Sequence, residues 1–293
     1  MPAPICLFTY NRLNETRQTV EALKRNYLAA ESELFVFSDG PKNGKSYQKV
    51  AEVRDFLKTI TGFKTIQITE SPVNRGLADS IISGVSQVIQ KFGQVIVLED
   101  DLITSPNFLI FMNQALEFYK SIDRIFSISG YTLDLPSLKN NTKDYYLGYR
   151  ASSWGWGTWS TQWEKVDWDM HNFNSVIFNP WKHLKFLRGG SDLSLMLWRQ
   201  KKGKIDSWAV RWCFHQFNNE LFTVFPVKSK VISIGFGENA THTKKTGRFD
   251  VQKDDGKQKL FVFDNDLIID KVLIKEFRQK FSIVNRFKDK FRK

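Results

Sequence analysis

Short apolar runs alternate with longer amphipathic stretches along the first third of the chain. Residues 3–9 form an apolar run ending in Thr9-Tyr10-Asn11-Arg12, and such a run bounded by polar residues reads as a buried strand. A helix is expected from about Asn14, with Asn14 or Thr16 as N-cap and Val20, Leu23 and Tyr27 on one face. Residues 33–37 read as a second strand, closed by Ser38-Asp39-Gly40-Pro41. Residues 46–60 carry Val50, Val53, Leu57 and Ile60 at helical spacing, and 64–68 form a third strand. The turn Asn74-Arg75-Gly76-Leu77 leads into a helix bearing Ile81, Val85, Val88 and Ile89. Residues 95–98 are a fourth strand, and it runs straight into Glu99-Asp100-Asp101.

Strands separated by helices in this way predict βαβ units and a largely parallel sheet. Ligands of such sheets sit beyond the C-terminal strand ends. Every polar turn above falls there: Tyr10 to Arg12, Asp39, Asn74 to Gly76, and Glu99 to Asp101. Adjacent carboxylates at the end of a buried strand repel one another, and a divalent cation with a preference for oxygen ligands, Mn²⁺ or Mg²⁺, would relieve them. A solvated acidic turn is the plainer alternative.

Beyond the acidic triplet, Ser105-Pro106-Asn107 is expected to cap a helix through Phe108, Phe111, Met112, Ala115, Leu116 and Tyr119. Residues 125–129 read as a strand and 134–144 as a polar loop. Residues 153–168 contain Trp154, Trp156, Trp159, Trp163 and Trp168, interleaved with Gly155 and Gly157. Indoles usually fill cores, but a sugar ring also stacks on them, and at least one of these should border a ligand site. Residues 173–200 are mainly helical with a break at Gly189-Gly190, 208–218 form another helix, 223–226 and 231–234 are strands, and 235–246 a polar loop.

The 293-residue length fits one large α/β domain. Cys6 and Cys213, both in apolar surroundings, fit a reduced cytoplasmic setting. No apolar run approaches the ~18 residues of a membrane span, and the first residues read as a strand rather than a signal peptide. The net charge is +12, yet residues 271–293 hold nine Lys/Arg against Glu276 and Asp289, so that tail supplies +7 of it. The body is only mildly basic, which argues against nucleic acid as a partner. In the tail, Leu273, Phe277, Phe281, Val284, Phe287 and Phe291 share one helical face, giving a basic amphipathic helix suited to an anionic membrane surface or to docking on the domain.

Neither G-x-G-x-x-G nor G-x-x-x-x-G-K-[ST] occurs, which removes dinucleotide-binding and P-loop readings. The order of motifs instead resembles GT-A fold inverting glycosyltransferases. It is similar to the N-acetylglucosaminyltransferase I type and to bacterial family 2-like enzymes. The resemblance rests on Tyr10-Asn11-Arg12, Ser38-Asp39-Gly40, Asn74-Arg75-Gly76-Leu77 and Glu99-Asp100-Asp101-Leu102 followed by Pro106-Asn107-Phe108. Trp154-Gly155-Trp156 with Trp163, and Ile205-Asp206-Ser207-Trp208, look like two further segments of that type, although Ser207 stands where its motif has a second Asp. The similarity covers roughly residues 3–240.

The resemblance implies an α/β GT-A fold, a mixed, mostly parallel sheet flanked by helices, with the basic helix 269–293 behind it. Residues 1–130 would bind the nucleotide sugar and 131–268 the acceptor. Asp101 would hold Mn²⁺ or Mg²⁺, with His242 as a second ligand. Glu99 and Asp100 would meet donor ribose and sugar hydroxyls, and Asp39 the nucleobase or ribose. Tyr10, Arg12, Asn74, Arg75 and Trp156 complete the expected donor site. Asp206 would be the general base that deprotonates the acceptor hydroxyl; its alternative is a helix N-cap. The implied reaction moves a sugar from a nucleotide diphosphate, UDP favoured, to a glycan or lipid-linked glycan of a surface polysaccharide or lipopolysaccharide. Two rival readings are a sugar-phosphate nucleotidyltransferase and a non-catalytic carbohydrate-binding protein on a transferase scaffold.

Overall fold

A computed structural model describes residues 1–235, 247–282 and 284–286. Its strands are β1 (Ile5–Thr9), β2 (Glu33–Ser38), β3 (Thr65–Glu70), β4 (Gln94–Glu99), β5 (Leu102–Thr104), β6 (Ile125–Ser129), β7 (Tyr145–Gly148), β8 (Trp156–Trp159), β9 (Phe222–Pro226) and β10 (Val231–Ser233). The helices used below are α1 (Leu13–Lys24), α2 (Gly44–Leu57), α3 (Leu77–Phe92), α4 (Phe108–Tyr119), α5 (Ser160–Trp163), α6 (Phe173–Ile177), α7 (Pro180–Phe186), α8 (Asp192–Lys201), α9 (Trp208–Asn218) and α10 (Lys271–Lys280).

Eight strands form one sheet in the order β3-β2-β1-β4-β8-β6-β9-β7. The first four are parallel, β8 is antiparallel to both β4 and β6, and β7 is antiparallel to β9. The mixed, mostly parallel sheet expected from the sequence is therefore present. Register explains the shared edge of the polar turns. Thr9 pairs with Ser38, Ser38 with Glu70, and Phe8 with Glu99, so four strands deliver their following turns to one rim. β5 and β10 make a separate antiparallel ribbon, and Ile234 N–H donates to the Asp101 carbonyl at 2.9 Å. That ribbon brings Ile234 and Gly235 against the acidic triplet.

The sheet is buried on both faces. Leu7, Val20, Leu23, Val53, Leu98, Phe108 and Met112 fill one side, and Cys6, Ile81, Val85, Val97, Trp156 and Trp212 fill the other. The tryptophans belong mainly to the second core. Trp156 lies 5.6 Å from Trp163 and 5.0 Å from Trp208 in stacked pairs, and Trp163 lies 5.0 Å from Trp212. Several expectations need correction. Neither Asn14 nor Thr16 caps α1: Arg12 is the cap residue, and Thr16 Oγ1 donates back to its carbonyl at 2.7 Å. Asn107 stands at the α4 cap position but spends its side chain elsewhere, accepting from Ser105 Oγ and donating to Asp254 and the Gln258 carbonyl. Strands β5, β7 and β8 were not anticipated. In the tail, Leu273, Phe277 and Phe281 are buried against Tyr131, Leu138, Tyr146 and Phe225. The apolar face of α10 is thus docked on the domain and not free for a membrane; Phe287 and Phe291 lie outside the described residues.

Candidate active site

At the C-terminal rim of β1, β2 and β4 lies a cleft of about 330 Å³, within the range that holds a small ligand. Its walls include Tyr10, Asn11, Arg12, Asp39, Lys42, Asn74, Glu99, Asp100, Asp101, Trp154, Ser233 and Gly235.

The acidic triplet divides by depth. Asp100 is 4% exposed. Arg12 binds both neighbours at once, one nitrogen donating to Asp100 Oδ1 and Nη1 donating to Asp101 Oδ2 at 3.1 Å. Tyr10 N–H donates to Asp100 Oδ2 at 3.3 Å, and Thr19 Oγ1 donates to the Asp100 carbonyl at 2.9 Å. Asp100 is therefore committed to partners inside the protein, and Arg12, expected to meet a phosphate or base, is the cation that neutralises it. Burial pushes Asp100 up to about 6 against the opposing pull of Arg12. Glu99, half-buried, is pushed up to about 8, first by burial and then by the charges of Asp101 and Asp100. Three carboxylates face one guanidinium, and the strain on ionisation falls on Glu99.

Asp39 is the keystone of the neighbouring turn. Its Oδ1 accepts from Gly40 N–H and Arg75 N–H, both at 2.8 Å; its Oδ2 accepts from Asn74 Nδ2 at 2.9 Å and Gly76 N–H at 3.0 Å. A carboxylate has about four lone-pair sites, so Asp39 is spent on joining the turn after β2 to the one before α3. Gly76, at φ +80°, takes a backbone conformation that L side chains rarely adopt. Asn74 lines the cleft, whereas Arg75 is exposed and is not among its lining residues. Arg54, not singled out by the sequence, pins the same rim from behind, donating to the Ser71 carbonyl at 2.6 Å and lying 3.4 Å from Glu70.

Other candidates separate cleanly. Trp156 is 1% exposed with its faces stacked on Trp163 and Trp208, so it is withdrawn as a donor contact. Trp154 instead reaches the cleft, edge-on to Tyr131 at 4.5 Å. Lys42 was missed; it stands in the turn after Asp39, and its N–H donates to Tyr10 Oη at 3.3 Å. Asp206 does not line the cleft. Its side chain is 60% exposed and takes a 2.9 Å bond from Arg211 Nη2. The α9 N-cap is Ser207, which accepts from Val210 N–H, so the capping alternative for Asp206 is ruled out. The reading of His242 as a ligand lies outside the described residues.

Among the described residues no group of three or more His, Cys, Asp or Glu side chains is arranged to hold a metal ion. The donor chemistry of the rim nevertheless fits a hard divalent cation. Asp101 offers a partly exposed carboxylate beside a surplus of negative charge, and a Cβ on Gly235 would come within 1.9 Å of its Oδ2, the oxygen that accepts from Arg12. Glycine there lets the backbone at 235 lie close to Asp101 without displacing its carboxylate.

The model of the family described as glycosyl transferase family 2 matches residues 5–170, which span the parallel half of the sheet, the acidic triplet and β8. The chain belongs to this family. It is a glycosyltransferase of GT-A fold, and the nucleotidyltransferase and non-catalytic readings fall away. No curated protein matches the chain. Among solved structures, this glycosyltransferase is similar to the mannosyltransferase PcManGT from Pyrobaculum calidifontis in complex with GDP-Man and Mn²⁺, at 10% identity and TM-score 0.43 over 75% of this chain and 71% of that one. It is also similar to S. aureus TarS at 14% identity and TM-score 0.34, over 53% of this chain and 28% of TarS.

Arg12 makes a direct prediction for the transferase. Arg12→Ala leaves buried Asp100 without its counter-ion, a loss that typically costs about 3–5 kcal/mol. Urea denaturation should show a drop of that order, with Arg12→Lys intermediate because an ammonium cannot serve two carboxylates in one plane. A change under about 1 kcal/mol, the range of an exposed pair, would show that the pair is not holding the rim.

Proposed function

We propose that the protein is a metal-dependent inverting glycosyltransferase that moves a sugar from a nucleotide diphosphate, UDP favoured, to a glycan or lipid-linked glycan acceptor in surface polysaccharide or lipopolysaccharide assembly, working in the cytoplasm. The observation that carries this reading is the meeting of four polar turns, the acidic triplet among them, in one cleft at the strand ends. Residues 1–130 supply most of the donor side, and 131–268 bring Trp154, Ser233 and Gly235 to its far wall.

In this proposal Asp101 holds Mn²⁺ or Mg²⁺, with His242 as the second ligand. When bound, the cation supplies Lewis-acid neutralisation of the departing nucleotide diphosphate. Asp100 and Arg12 stand in the cleft wall paired with each other, and Arg12 holds Asp101 at the rim. Glu99 and Asn74 offer hydrogen bonds to donor hydroxyls, and Lys42 a cation to phosphate. Trp154 presents an aromatic surface to a sugar ring. Asp206 accepts the proton of the acceptor hydroxyl as it attacks opposite the leaving group.

Thermal unfolding with nucleoside diphosphates, with and without Mn²⁺, tests the reading. A ligand at roughly a hundredfold its Kd stabilises by about 2.7 kcal/mol, on the order of 5 °C for a chain of this size. UDP with Mn²⁺ should give such a shift, and UDP with EDTA a much smaller one. If no nucleotide shifts the transition when Mn²⁺ is present, the donor-site assignment fails.

A further inference from the structure

The two most exposed aromatic side chains among the described residues lie close together in sequence, beside an exposed leucine. Phe178 and Trp181 are each 78% exposed and Leu184 is 59% exposed. Trp181 and Leu184 are spaced three residues apart on α7, which sets them on one side of that helix, and Phe178 stands just before it, at the C-cap of α6. The inward side of α7 is occupied: Phe186 is buried and packs at 5.0 Å from Phe217. Trp181 and Leu184 are therefore not a core face left over from folding, and exposed apolar side chains grouped in this way mark an interaction site.

The charges around it are mainly basic. Lys182 and Lys185 flank Trp181 and Leu184 and, with Arg188 and Arg124, line a 310 Å³ pocket whose only acidic lining residue is Glu220. Two of the guanidiniums are held in place on aromatic rings, Arg188 at 4.8 Å from Tyr149 and Arg124 at 4.6 Å from Phe222. The exposed basic side of α10 joins the same surface. Lys275 and Arg278 meet Leu187, next to α7, and Ser191 Oγ donates to the Phe281 carbonyl at 2.8 Å. None of these residues lines the donor cleft.

We infer that this face, built from α7 with the basic side of α10, docks the protein on an anionic lipid bilayer. Phe178, Trp181 and Leu184 enter the headgroup boundary, and Lys182, Lys185, Arg188 and Arg124 take lipid phosphates. An indole and a phenyl ring ringed by lysine and arginine suit the interface between headgroups and acyl chains, where amphipathic rings settle and cations meet anionic headgroups. A second copy of the chain is disfavoured as the occupant, because a two-fold contact would set these cations against their own images. The inference moves membrane contact from the apolar face of the tail, which is docked on the domain, to α7; α10 contributes charge only. It stands independently of the donor-site assignment.

Flotation of the full chain with phosphatidylcholine vesicles, with and without phosphatidylglycerol, tests it. Binding should require phosphatidylglycerol. Each Lys or Arg near an anionic surface contributes roughly fivefold, so Lys182→Glu with Lys185→Glu should weaken partitioning on the order of 25-fold or more. Trp181→Ser with Leu184→Ser should weaken it by roughly tenfold or more. All four positions are exposed, and unchanged thermal unfolding and an unchanged UDP and Mn²⁺ response serve as folding controls. Failure of the wild-type chain to float with anionic vesicles overturns the inference. So does binding that survives both double variants but is lost in Lys275→Glu with Arg278→Glu. Concentration-dependent self-association in light scattering that Trp181→Ser abolishes, without vesicle binding, would make the face a contact between copies and overturn it as well.

Discussion

Asp101→Ala should abolish sugar transfer, lowering kcat/KM by roughly 10³-fold or more, and it should do so without unfolding the protein. Losing a single preorganised group that stabilises leaving-group charge typically costs about 10²–10³, and here the lost group is also the proposed anchor for the cation. The fold should tolerate the change because Asp101 is the less buried of the two carboxylates on Arg12, its side chain 17% exposed against 5% for Asp100. With Asp101 gone, Arg12 keeps Asp100 and the interior pair survives. Asp100→Ala should behave in the opposite sense, removing the buried partner of Arg12, leaving it only the more exposed Asp101, and costing stability first. The pair of variants thus separates chemistry from architecture. Urea denaturation gives the stability of each, and isothermal titration with Mn²⁺ and UDP gives the cation linkage. If Asp101→Ala retains transfer within tenfold, or binds UDP equally with Mn²⁺ and with EDTA, the division of labour in the triplet is wrong.

That division could not be read from the sequence, although the triplet itself stood out. The parallel half of the fold was legible because each strand there is a short apolar run closed by a polar turn, and each helix carries its buried residues at helical spacing. The common rim followed from topology alone. What escaped depends on distant partners. Nothing near Glu99-Asp100-Asp101 says that Arg12 reaches across from the end of β1. Asp39 is a plausible ligand acceptor until the four donors of its own and the neighbouring turn are counted. Trp156 could serve a sugar or a core, and Trp208 and Trp212, some fifty residues later, decide for the core. The strand it occupies, β8, was hidden because Gly157 reads as a breaker; in the sheet it lets the Val95 carbonyl approach to 3.0 Å of where a Cβ would lie. The tail was legible as an amphipathic helix, but the same apolar face serves a membrane or a docking groove, and Tyr146 and Phe225 supply the groove.

Asp206→Asn should lower kcat by about 10²–10⁴, the contribution of a positioned general base, while leaving the UDP and Mn²⁺ stabilisation intact. The structure gives the position of this carboxylate a local cause. Ser207 accepts from Val210 N–H to start α9, its own N–H donates to Gln200 Oε1 at 2.7 Å, and Trp208 stacks on Trp156. Trp156 pairs with Val97 and Ser129, so the start of α9 is tied to the sheet through β8, beside the strand that ends in Glu99. Arg211, mostly buried, holds Asp206 Oδ1 and leaves the carboxylate 60% exposed to solvent. A base at that place needs its charge but not its shape, and Asn keeps the shape. The readout that separates chemistry from folding is therefore a fall in kcat with unchanged nucleotide affinity and unchanged urea denaturation. Arg211→Ala, which frees the carboxylate without removing it, should cost far less than Asp206→Asn in kcat. Transfer within a few-fold of wild type in Asp206→Asn would take the base role away from this residue, and a matching loss of UDP affinity would make it a donor contact.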